Sequence, residues 1–496
     1  MTFQLLAVIR KTSVFLLLLF NSQLMPGLAT QNSYEKQQSS KSICPTQLGA
    51  AIDAAINRPQ FRRARWGILI EPLSPTTNRS LYNHEGDRYF IPASNAKLLT
   101  TAAALRQLGS EFRIRTSIYQ TSAGSLRVVG RGDPSLTDAQ LKDLTQQLKR
   151  QGVRNVQQLV VDDSYFQGDT LNLTWEWEDV QSDYGAAVNS LILNQNAVDL
   201  TLSPQQVGQP LRVNWADAIA AKQWRLENNS VTAKAATPDS IAVTAVLGQP
   251  LLQIKGQLGV DAKPEVIGLP VLNPGEYFLE HFRNVLVAEG ISVESATVES
   301  NKGVTGTQEL AKIESPPLAT LLVETNQESN NLYAEVLLRT LGSFRHDTLP
   351  STTQTAELGL KTLKETLTAL GVDPQSYSLV DGSGLSRQNL VSPEAIAQTL
   401  KRMAQMPQAT IYRASLPTAG VNGTLSQRFL NTAAQGNLQA KTGTLTGVSA
   451  LSGYLDVPGY QPLVFSIMVN QSDQSPTTQR QAIDEIVLLL TRLRSC

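Results

Sequence analysis

The sequence PASNAKLLTTAAALRQL, residues 92–108, predicts a helix that opens at Pro92, because its apolar residues repeat at helical spacing. Residues three positions apart lie on one face of a helix, so Ser94 and Lys97 are predicted neighbours. A serine hydroxyl becomes a nucleophile when a base removes its proton. A lysine amine can be that base when burial or a nearby positive charge lowers its pKa. The stretch therefore predicts a serine nucleophile with a lysine base at the start of a buried helix.

A second string, Ser329–Asn331, stands immediately before another apolar helical pattern. We expect Ser329 to pass a proton to the leaving group and Asn331 to hold a substrate amide. The string therefore predicts further residues of the site that contains Ser94.

A third string, Lys-Thr-Gly, ends a short predicted strand near the C-terminus. Lys441 and Thr442 are expected to hold a terminal carboxylate of the substrate, and Gly443 to leave space for a substrate backbone. The positive charge of Lys441 is also expected to lower the pKa of the lysine base. The backbone N–H groups of Ser94 and Thr444 form the expected oxyanion hole.

Each string alone has an ordinary structural interpretation. Ser94–Lys97 fits the first turn of any helix, Ser329–Asn331 fits an N-cap, and Lys441–Gly443 fits a turn. Another Ser-x-x-Lys at Ser33–Lys36 has no apolar helix behind it, so one copy of the pattern carries little information. Three strings in this order, each in a suitable local pattern, favour serine acyl transfer.

Composition restricts the classes of function. The 496 residues carry 42 basic and 42 acidic side chains, so nucleic acid is not an expected partner. The three histidines lie far apart without a metal-ligand spacing, and we expect neither a metal nor a cofactor. The same scarcity disfavours a Ser-His-Asp triad, with His84 as the alternative that stays open.

The N-terminus, residues 1–29, predicts an export signal. Basic residues precede the apolar run Val14–Phe20, which is too short to span a bilayer, and small residues follow at Gly27 and Ala29 as a signal peptidase requires. An uncleaved anchor is the alternative. Residues 30–43 are rich in Gln, Ser and Lys and predict a disordered linker. We expect the mature protein in the periplasm or cell-wall space, with no membrane span after cleavage.

The two ends of the chain share a pattern that the middle lacks. Near the N-terminus and after residue 316, helical patterns and strands with short connections predict an α+β domain with an antiparallel sheet. From about 113 to 315, short β-like runs alternate with turn signals. The sequence therefore predicts one domain built from both ends, interrupted by a mostly β insert.

The motif set and its spacing identify a resemblance. Ser-x-x-Lys, Ser-x-Asn and Lys-Thr-Gly are the motifs of penicillin-binding proteins and class A β-lactamases. The distance from Ser94 to Ser329 is far too long for a class A β-lactamase. Residues 45–495 resemble the D-alanyl-D-alanine carboxypeptidase/endopeptidase family, peptidase S13, which comprises low-molecular-mass class C penicillin-binding proteins. Asn330 departs from the family, which usually has Asp there. Further strings typical of the family are Gly132–Pro134, Trp175–Asp179, Asn194–Asn196, Asp381–Arg387, Leu416–Pro417, Gly423–Leu425 and Gly443–Leu445.

The resemblance implies a nested architecture. It implies a transpeptidase/β-lactamase-like domain I at residues 44–112 and 316–496. Domain II is implied at residues 113–200 and 286–315, and domain III at residues 201–285. Domain II would be inserted in domain I, and domain III in domain II.

The resemblance also implies an activity. This is hydrolysis of a D-Ala-D-Ala bond or a D-Ala cross-link in peptidoglycan peptides through an acyl-enzyme, with acylation by β-lactam antibiotics as inhibitors. A β-lactamase or esterase is one alternative, and a non-catalytic penicillin-sensing or wall-binding protein is another. The intact pair of Ser94 and Lys97 argues against the non-catalytic alternative.

Two more residues are assigned by the resemblance alone. In that family, the segments that contain Asp179 and Arg387 hold the far end of a diaminopimelate side chain, which carries an amine and a carboxylate. A carboxylate suits the amine, and a guanidinium suits the carboxylate in a bidentate pair. The alternative is that Asp179 caps a turn and Arg387 lies on the surface.

Two cysteines, Cys44 and Cys496, flank the domain that is built from both chain ends. The first and last helices of such a domain are expected to pack side by side, and export allows disulfide formation. The sequence therefore predicts a Cys44–Cys496 disulfide, with two unpaired thiols as the alternative.

Overall fold

The structure is a computed structural model that describes residues 42–74, 80–122, 124–299, 308–343 and 354–496. The predicted signal peptide, most of the predicted linker, Ser33–Lys36 and His346 lie outside the described residues. The helices are α1 Pro45–Ile56, α2 Lys97–Leu108, α3 Asp138–Arg150, α4 Ala218–Lys222, α5 Pro274–Ala288, α6 Leu318–Gln327, α7 Asn331–Ser343, α8 Thr355–Leu370, α9 Pro393–Ala404, α10 Ala409–Ala414 and α11 Pro476–Leu490.

The strands follow the same chain order. They are β1 Arg65–Pro72, β2 Tyr82–His84, β3 Arg115–Ser122, β4 Ser125–Val129, β5 Asn155–Asp162, β6 Ala197–Ser203, β7 Arg212–Trp215, β8 Arg225–Ala233, β9 Ser240–Ala245, β10 Leu251–Gly259, β11 Glu265–Pro270, β12 Ser292–Glu299, β13 Gln308–Glu314, β14 Tyr377–Ser378, β15 Leu390–Val391, β16 Leu438–Leu445, β17 Val448–Leu455 and β18 Leu463–Asn470.

The main sheet joins the two ends of the chain. Its strand order is β16-β17-β18-β1-β2, and every neighbouring pair is antiparallel. Strands β17 and β18 are buried along their whole length, because helices cover both faces of the sheet. Helices α1 and α11 contribute to the core on one face, and α2 and α9 to the core on the other. The predicted α+β fold with an antiparallel sheet is confirmed.

Helix α2 lies at the centre of the helical layer. Its residues from Lys97 to Leu105 are all buried, and it packs against α6, α7, α8 and α9. Three alanines and two threonines in this stretch keep the helix slender, so neighbouring helices approach it closely. A helix enclosed on all sides gives a side chain at its first turn a dry and fixed environment.

The interrupting region contains three sheets. The largest has the order β12-β5-β4-β3-β13, and two three-stranded sheets have the orders β11-β6-β7 and β8-β10-β9. Helices α3 and α5 also lie here, α5 against β12 and α3 against β13. The region is mostly β as predicted, but the sequence analysis did not separate these two helices from the β-like runs.

Helix α5 affects where the inserted parts divide. The predicted end of domain III, residue 285, lies inside α5. That helix packs against α3 and β12, which both belong with the five-stranded sheet. We propose that domain II resumes near residue 271, after strand β11, and that residues 197–270 form domain III.

The first described residues lie against the C-terminal residues. Cys44 and Cys496 form a disulfide, so the predicted pairing is confirmed. Ile43, the last residue of the predicted linker, is buried and pairs with Leu493 through a single β-bridge. Helix α1 packs against α11 as expected. Within the described ranges, no helix combines the length and hydropathy that a bilayer crossing requires.

Candidate active site

Ser94 lies in a tight turn that leads into helix α2. Residues Ala93–Ala96 form a 3-10 turn, and the α-helix begins at Lys97, five residues after the predicted start. Ala93 has a φ of 47°, and the buried Asn95 donates from its side-chain Nδ2 to Ser452 Oγ in β17 at 2.7 Å. The turn is therefore fixed against the main sheet, and it presents the Ser94 hydroxyl at the surface of a cleft.

Lys97 is completely buried beneath that hydroxyl. Its Nζ donates to Ser94 Oγ at 3.0 Å, to Asn331 Oδ1 at 2.6 Å and to the carbonyl oxygen of Ser383 at 2.8 Å. Burial lowers the pKa of Lys97 to about 7, although the carboxylates of Asp381 and Glu335 favour its charged form. A neutral amine in contact with the hydroxyl is thus accessible near neutral pH.

The loop Asp381–Arg387 encloses Lys97 and is held by two buried carboxylates. Glu335 Oε1 accepts from the backbone N–H groups of Gly382 and Ser383 at 2.9 and 2.8 Å. Asp381 accepts from the backbone N–H of Gly384 and the indole N–H of Trp175 at 2.8 and 3.0 Å. These contacts aim the carbonyl of Ser383 at the lysine.

Glu335 belongs to this site but to none of the three sequence motifs. Burial, and next the charge of Asp381, raise the pKa of Glu335 to about 7. One signal was available, because Glu335 is an acidic residue within an apolar helical pattern. A charge at such a position is rarely buried unless it has partners.

Ser329 and Lys441 form the second contact pair of the site. Lys441 is fully buried, and its Nζ donates to Ser329 Oγ at 2.8 Å and to the carbonyl oxygen of Thr442 at 3.0 Å. Burial, and then the charge of Lys97, lower the pKa of Lys441 well below its usual range. Of the two expected causes, burial and a neighbouring positive charge, burial is the larger one for both lysines.

Gly443 allows the edge strand to approach the serine turn. Strand β16 forms one edge of the main sheet, and a Cβ atom at Gly443 would lie 2.8 Å from the carbonyl oxygen of Pro92 and 3.2 Å from the backbone N of Ser94. The position that the sequence analysis reserved for a substrate backbone is thus taken by the turn itself. The space is needed to bring Thr442 and Thr444 beside Ser94.

The two halves of strand β16 have different surroundings. The backbone N–H of Ala440 donates to the carbonyl oxygen of Pro417 at 3.0 Å, so the segment that contains Pro417 covers the start of the strand. Further along, Thr442 Oγ1 lies 2.8 Å from Thr424 Oγ1, and Thr444 lines the cleft. The edge is therefore open to a ligand at the end that carries the motif.

Asn331 links the nucleophile to the inserted region. Its Oδ1 accepts from Lys97, and its Nδ2 donates to the carbonyl oxygen of Tyr184 at 2.9 Å. Both the Oδ1 and the Nδ2 atoms of Asn331 have partners in this structure. A hydrogen bond to a substrate amide would therefore have to replace one of these two contacts.

A cleft of about 720 Å³ opens in front of these groups. Asp179 and Arg387 both line it, together with Ser94, Ser329 and Asn331. The structure therefore brings all the predicted site residues except the two disulfide cysteines to one region. Within the described ranges, no group of three or more His, Cys, Asp and Glu residues is arranged to hold a metal ion.

Asp179 and Arg387 each have a partner in the cleft wall. Arg387 Nε donates to Glu176 Oε2 at 3.0 Å, and its Nη2 donates to the carbonyl oxygen of Thr446 at 2.9 Å. Asp179 Oδ1 accepts from the Tyr184 hydroxyl at 3.2 Å, and burial raises the pKa of Asp179. Glu176 belongs to a string that the sequence analysis noted, but its ion pair with Arg387 was not foreseen.

The sequence profile of the D-Ala-D-Ala carboxypeptidase 3 (S13) family matches residues 48–493. The chain belongs to this family. The S13 enzyme is 33% identical over 466 residues to the D-alanyl-D-alanine carboxypeptidase of Actinomadura sp., covering 88% of this chain and 84% of that protein. It is 29% identical over 468 residues to the penicillin-sensitive carboxypeptidase A of Dictyostelium discoideum, covering 86% and 87% of the two chains.

A solved structure has the same fold. The crystal structure of penicillin binding protein 4 (dacB) from Haemophilus influenzae matches the S13 enzyme with a TM-score of 0.77 and 25% identity, over 88% of this chain and 98% of that chain. Family, fold and relatives together establish a serine-type D-Ala-D-Ala carboxypeptidase.

Proposed function

We propose that Ser94 attacks the carbonyl carbon of the penultimate D-Ala in a peptidoglycan stem peptide. Lys97, as a neutral amine, takes the proton of the Ser94 hydroxyl, and the N–H groups of Ser94 and Thr444 stabilise the oxyanion. The observation that carries this assignment is the 3.0 Å contact between Nζ of the fully buried Lys97 and Ser94 Oγ.

Departure of the terminal D-Ala needs a proton on its nitrogen. We infer that Ser329 Oγ, in contact with Lys441 Nζ, delivers it. The proton that Lys97 took from Ser94 then passes to Ser329, so Lys97 is neutral again before the next step. Lys441 and Thr442 hold the terminal carboxylate, whose negative charge favours the protonated form of Lys441. Water then attacks the acyl-enzyme, with Lys97 as the base, and restores Ser94.

The same groups act on cross-links and on β-lactams. A D-Ala cross-link presents the same acyl donor with a longer leaving group, so endopeptidase activity uses the same residues. A β-lactam carries a reactive amide beside a carboxylate, and it acylates Ser94. A crystal structure of the Haemophilus influenzae protein is described as complexed with a β-lactam. We propose that residues 1–29 direct export, so that the enzyme meets peptidoglycan in the periplasm or cell-wall space.

Labelled penicillin tests the nucleophile. The wild-type enzyme should form one adduct per chain, and Ser94→Ala should form none. Hydrolysis of a D-Ala-D-Ala peptide should be lost in the same variant. Thr410→Ala, at a surface position in a different cavity, is the matched control and should acylate like the wild type. An adduct of normal stoichiometry on Ser94→Ala contradicts the assignment.

The wall that carries Asp179 and Arg387 supports a subsite for the substrate side chain. We infer that Asp179 binds an amine at the end of a diaminopimelate-type side chain and that Arg387 binds its carboxylate. Glu176 keeps the guanidinium of Arg387 oriented in the substrate-free enzyme. The three carboxyl and guanidinium groups thus form a polar end to the cleft.

A pair of peptides tests this subsite. On a peptide with a free side-chain amine, Asp179→Asn should lower kcat/KM by about tenfold, as expected for a lost charged hydrogen bond. On the peptide acetylated at that amine, and with penicillin, the variant should resemble the wild type. Equal losses on both peptides would show that Asp179 serves the fold and not recognition.

A further inference from the structure

Ser329 is held in a backbone conformation that a serine rarely adopts. Its φ is 62°, in the left-handed region, and its Oγ must still meet Lys441 Nζ at 2.8 Å. A strained residue keeps such a conformation only when its surroundings impose it. The contacts of the next residue, Asn330, show what those surroundings are.

The side chain of Asn330 has a fixed orientation. Its Oδ1 accepts from the backbone N–H of Tyr333 at 3.2 Å and caps helix α7. The Nδ2 atom therefore points the other way, where it donates to Gln195 Oε1 at 2.8 Å and to Glu324 Oε1 at 3.1 Å. A carboxylate at this position could still cap the helix, but it could donate to neither partner.

Gln195 reaches the site from the inserted region on a rigid turn. Residues Asn194–Asn196 have consecutive φ values of 49°, 60° and 50°. Asn196 is fully buried and donates to the carbonyl oxygen of Ala187 at 2.8 Å and to Asn189 Oδ1 at 2.9 Å. The turn is thus anchored independently of the catalytic domain, and Gln195 presents its acceptor from a fixed place.

We infer that Gln195 and Asn330 form a positioning pair. Through this pair, the inserted region keeps Ser329 Oγ within hydrogen-bond distance of Lys441 Nζ. The pair requires an amide at residue 330, because a carboxylate there would stand about 3 Å from Glu324, where two like charges repel. Asn330 contacts no substrate in this role. It acts through Ser329, so it is a positioning residue. This inference rests on the proposed role of Ser329.

A double-variant cycle tests the charge requirement. Asn330→Asp should lower kcat on a D-Ala-D-Ala peptide at least tenfold with little change in KM. The total amount of labelled penicillin bound after long incubation should stay at one per chain. Glu324→Gln alone keeps an acceptor and should stay within about threefold of the wild type. The combination of Asn330→Asp with Glu324→Gln should recover part of the lost kcat, because the new amide at residue 324 donates to the new carboxylate while the contact with Gln195 stays lost.

Gln195→Met tests the contribution of the inserted region. Methionine has a similar length but no strong acceptor, so kcat should fall about tenfold while the thermal midpoint stays unchanged. Gln205→Met, on a surface segment of the inserted region, is the matched control and should leave kcat unchanged.

The outcomes separate this inference from the proposed function. Wild-type rates in Asn330→Asp, or a combined variant no faster than Asn330→Asp, would overturn the positioning pair. Asn330→Asp could instead bind less penicillin while keeping a normal kcat per bound site. That result would also overturn the positioning pair, because it indicates that part of the variant is unfolded. Absence of any adduct on the wild-type enzyme would instead overturn the proposed function.

Discussion

Two buried lysines face one small polar region, and their pKa values decide which proton moves. Lys97 and Lys441 are both fully buried, and the pKa of each is lowered. A dry pocket with two amines favours one charge over two. In the proposed mechanism, the substrate carboxylate attracts that charge to Lys441, which leaves Lys97 neutral at the moment when it must accept a proton.

The acylation rate should therefore depend on pH through Lys97. Since only the neutral amine is a base and its pKa is about 7, the rate of penicillin acylation should fall as pH drops below 7. Lys97→Arg should lose acylation at every pH, because a guanidinium stays charged.

Glu335→Gln should move the acid limb of the pH–rate profile to lower pH, since a nearby carboxylate that favours the charged lysine is removed.

The measurement is the second-order rate of acylation between pH 5 and 9. Glu71→Gln is the matched control, because Glu71 pairs with Lys401 and lines a different cavity. A rate that is flat from pH 5 to 8, or a limb that moves equally in both glutamate variants, would contradict the role of Lys97.

At the residue scale, the sequence strings predicted much of the site. Ser94, Lys97, Ser329, Asn331 and Lys441 meet as expected, because short motifs fix local spacing and the fold brings the strings together. Partners that come from elsewhere in the chain could not be predicted this way. The hydrogen bonds of Glu335, Glu176 and Gln195 depend on tertiary packing, which a short sequence motif does not reveal.

At the scale of elements, the position of strand β16 against the Ser94 turn sets the geometry of attack. Gly443→Ala would place a methyl group 2.8 Å from the carbonyl oxygen of Pro92, so the strand or the turn must move. A displacement of this size should lower the acylation rate by about 10- to 100-fold, because catalysis depends on close orientation.

Rapid mixing with a chromogenic β-lactam measures this rate. Gly49→Ala is a suitable comparison for stability, since Gly49 lies in helix α1 and an added methyl group there would make only ordinary contacts with Tyr82. Unchanged acylation in Gly443→Ala would show that the turn tolerates the displacement and that the glycine is not required there.

Elements with strong periodicity were predicted well, and weaker ones were not. The sequence predicts helices at residues 317–326, 331–341, 353–370 and 393–406, and α6 to α9 begin and end within two residues of these bounds. Helices α3 and α5 were overlooked because β-like runs surround them. Their apolar residues do follow a helical period, as Leu141, Leu144 and Leu148 show in α3, so this signal was present in the sequence.

At the scale of the whole molecule, one histidine ties separate parts of the inserted region together. His281 of α5 lies 2.8 Å from Asp138 Oδ1 and 2.9 Å from Asp217 Oδ2. Burial alone would lower the pKa of His281, but the two carboxylates outweigh burial and raise it to about 9. The pKa of His281 is higher in the folded protein than in the unfolded chain. The stabilisation that its charge provides is therefore complete below about pH 6.5 and is lost as pH rises through 9.

His281→Gln should therefore destabilise the protein more at pH 6 than at pH 9.5. We expect the difference between the two pH values to be about 1–2 kcal/mol, since solvent screens part of the interaction. Thermal unfolding of both proteins at both pH values measures it, with His84→Gln as the control. Equal destabilisation at pH 6 and 9.5 would show that His281 acts by packing and not by charge.

The terminal disulfide should contribute to stability and not to catalysis. Replacing Cys44 and Cys496 with serine releases α1 and α11 from each other and should cost about 2–5 kcal/mol, lowering the thermal midpoint. The kcat at 25 °C should stay near the wild-type value, because neither cysteine lines the cleft. Calorimetry and peptide hydrolysis test both statements, and a large loss of kcat in folded protein would contradict the second.

The pairing of strand β1 with β18 determines when the active site can form during synthesis. Strand β1 is made early, but its neighbour on one side is made almost last. Contacts between residues so distant in sequence form slowly, and chain segments that wait for them expose apolar surface. Until β16 and β18 have joined the sheet, Ser94 has no Lys441 or Thr444 nearby. A growing chain therefore carries the nucleophile long before it can use it, and activity appears only when the last strands are in place.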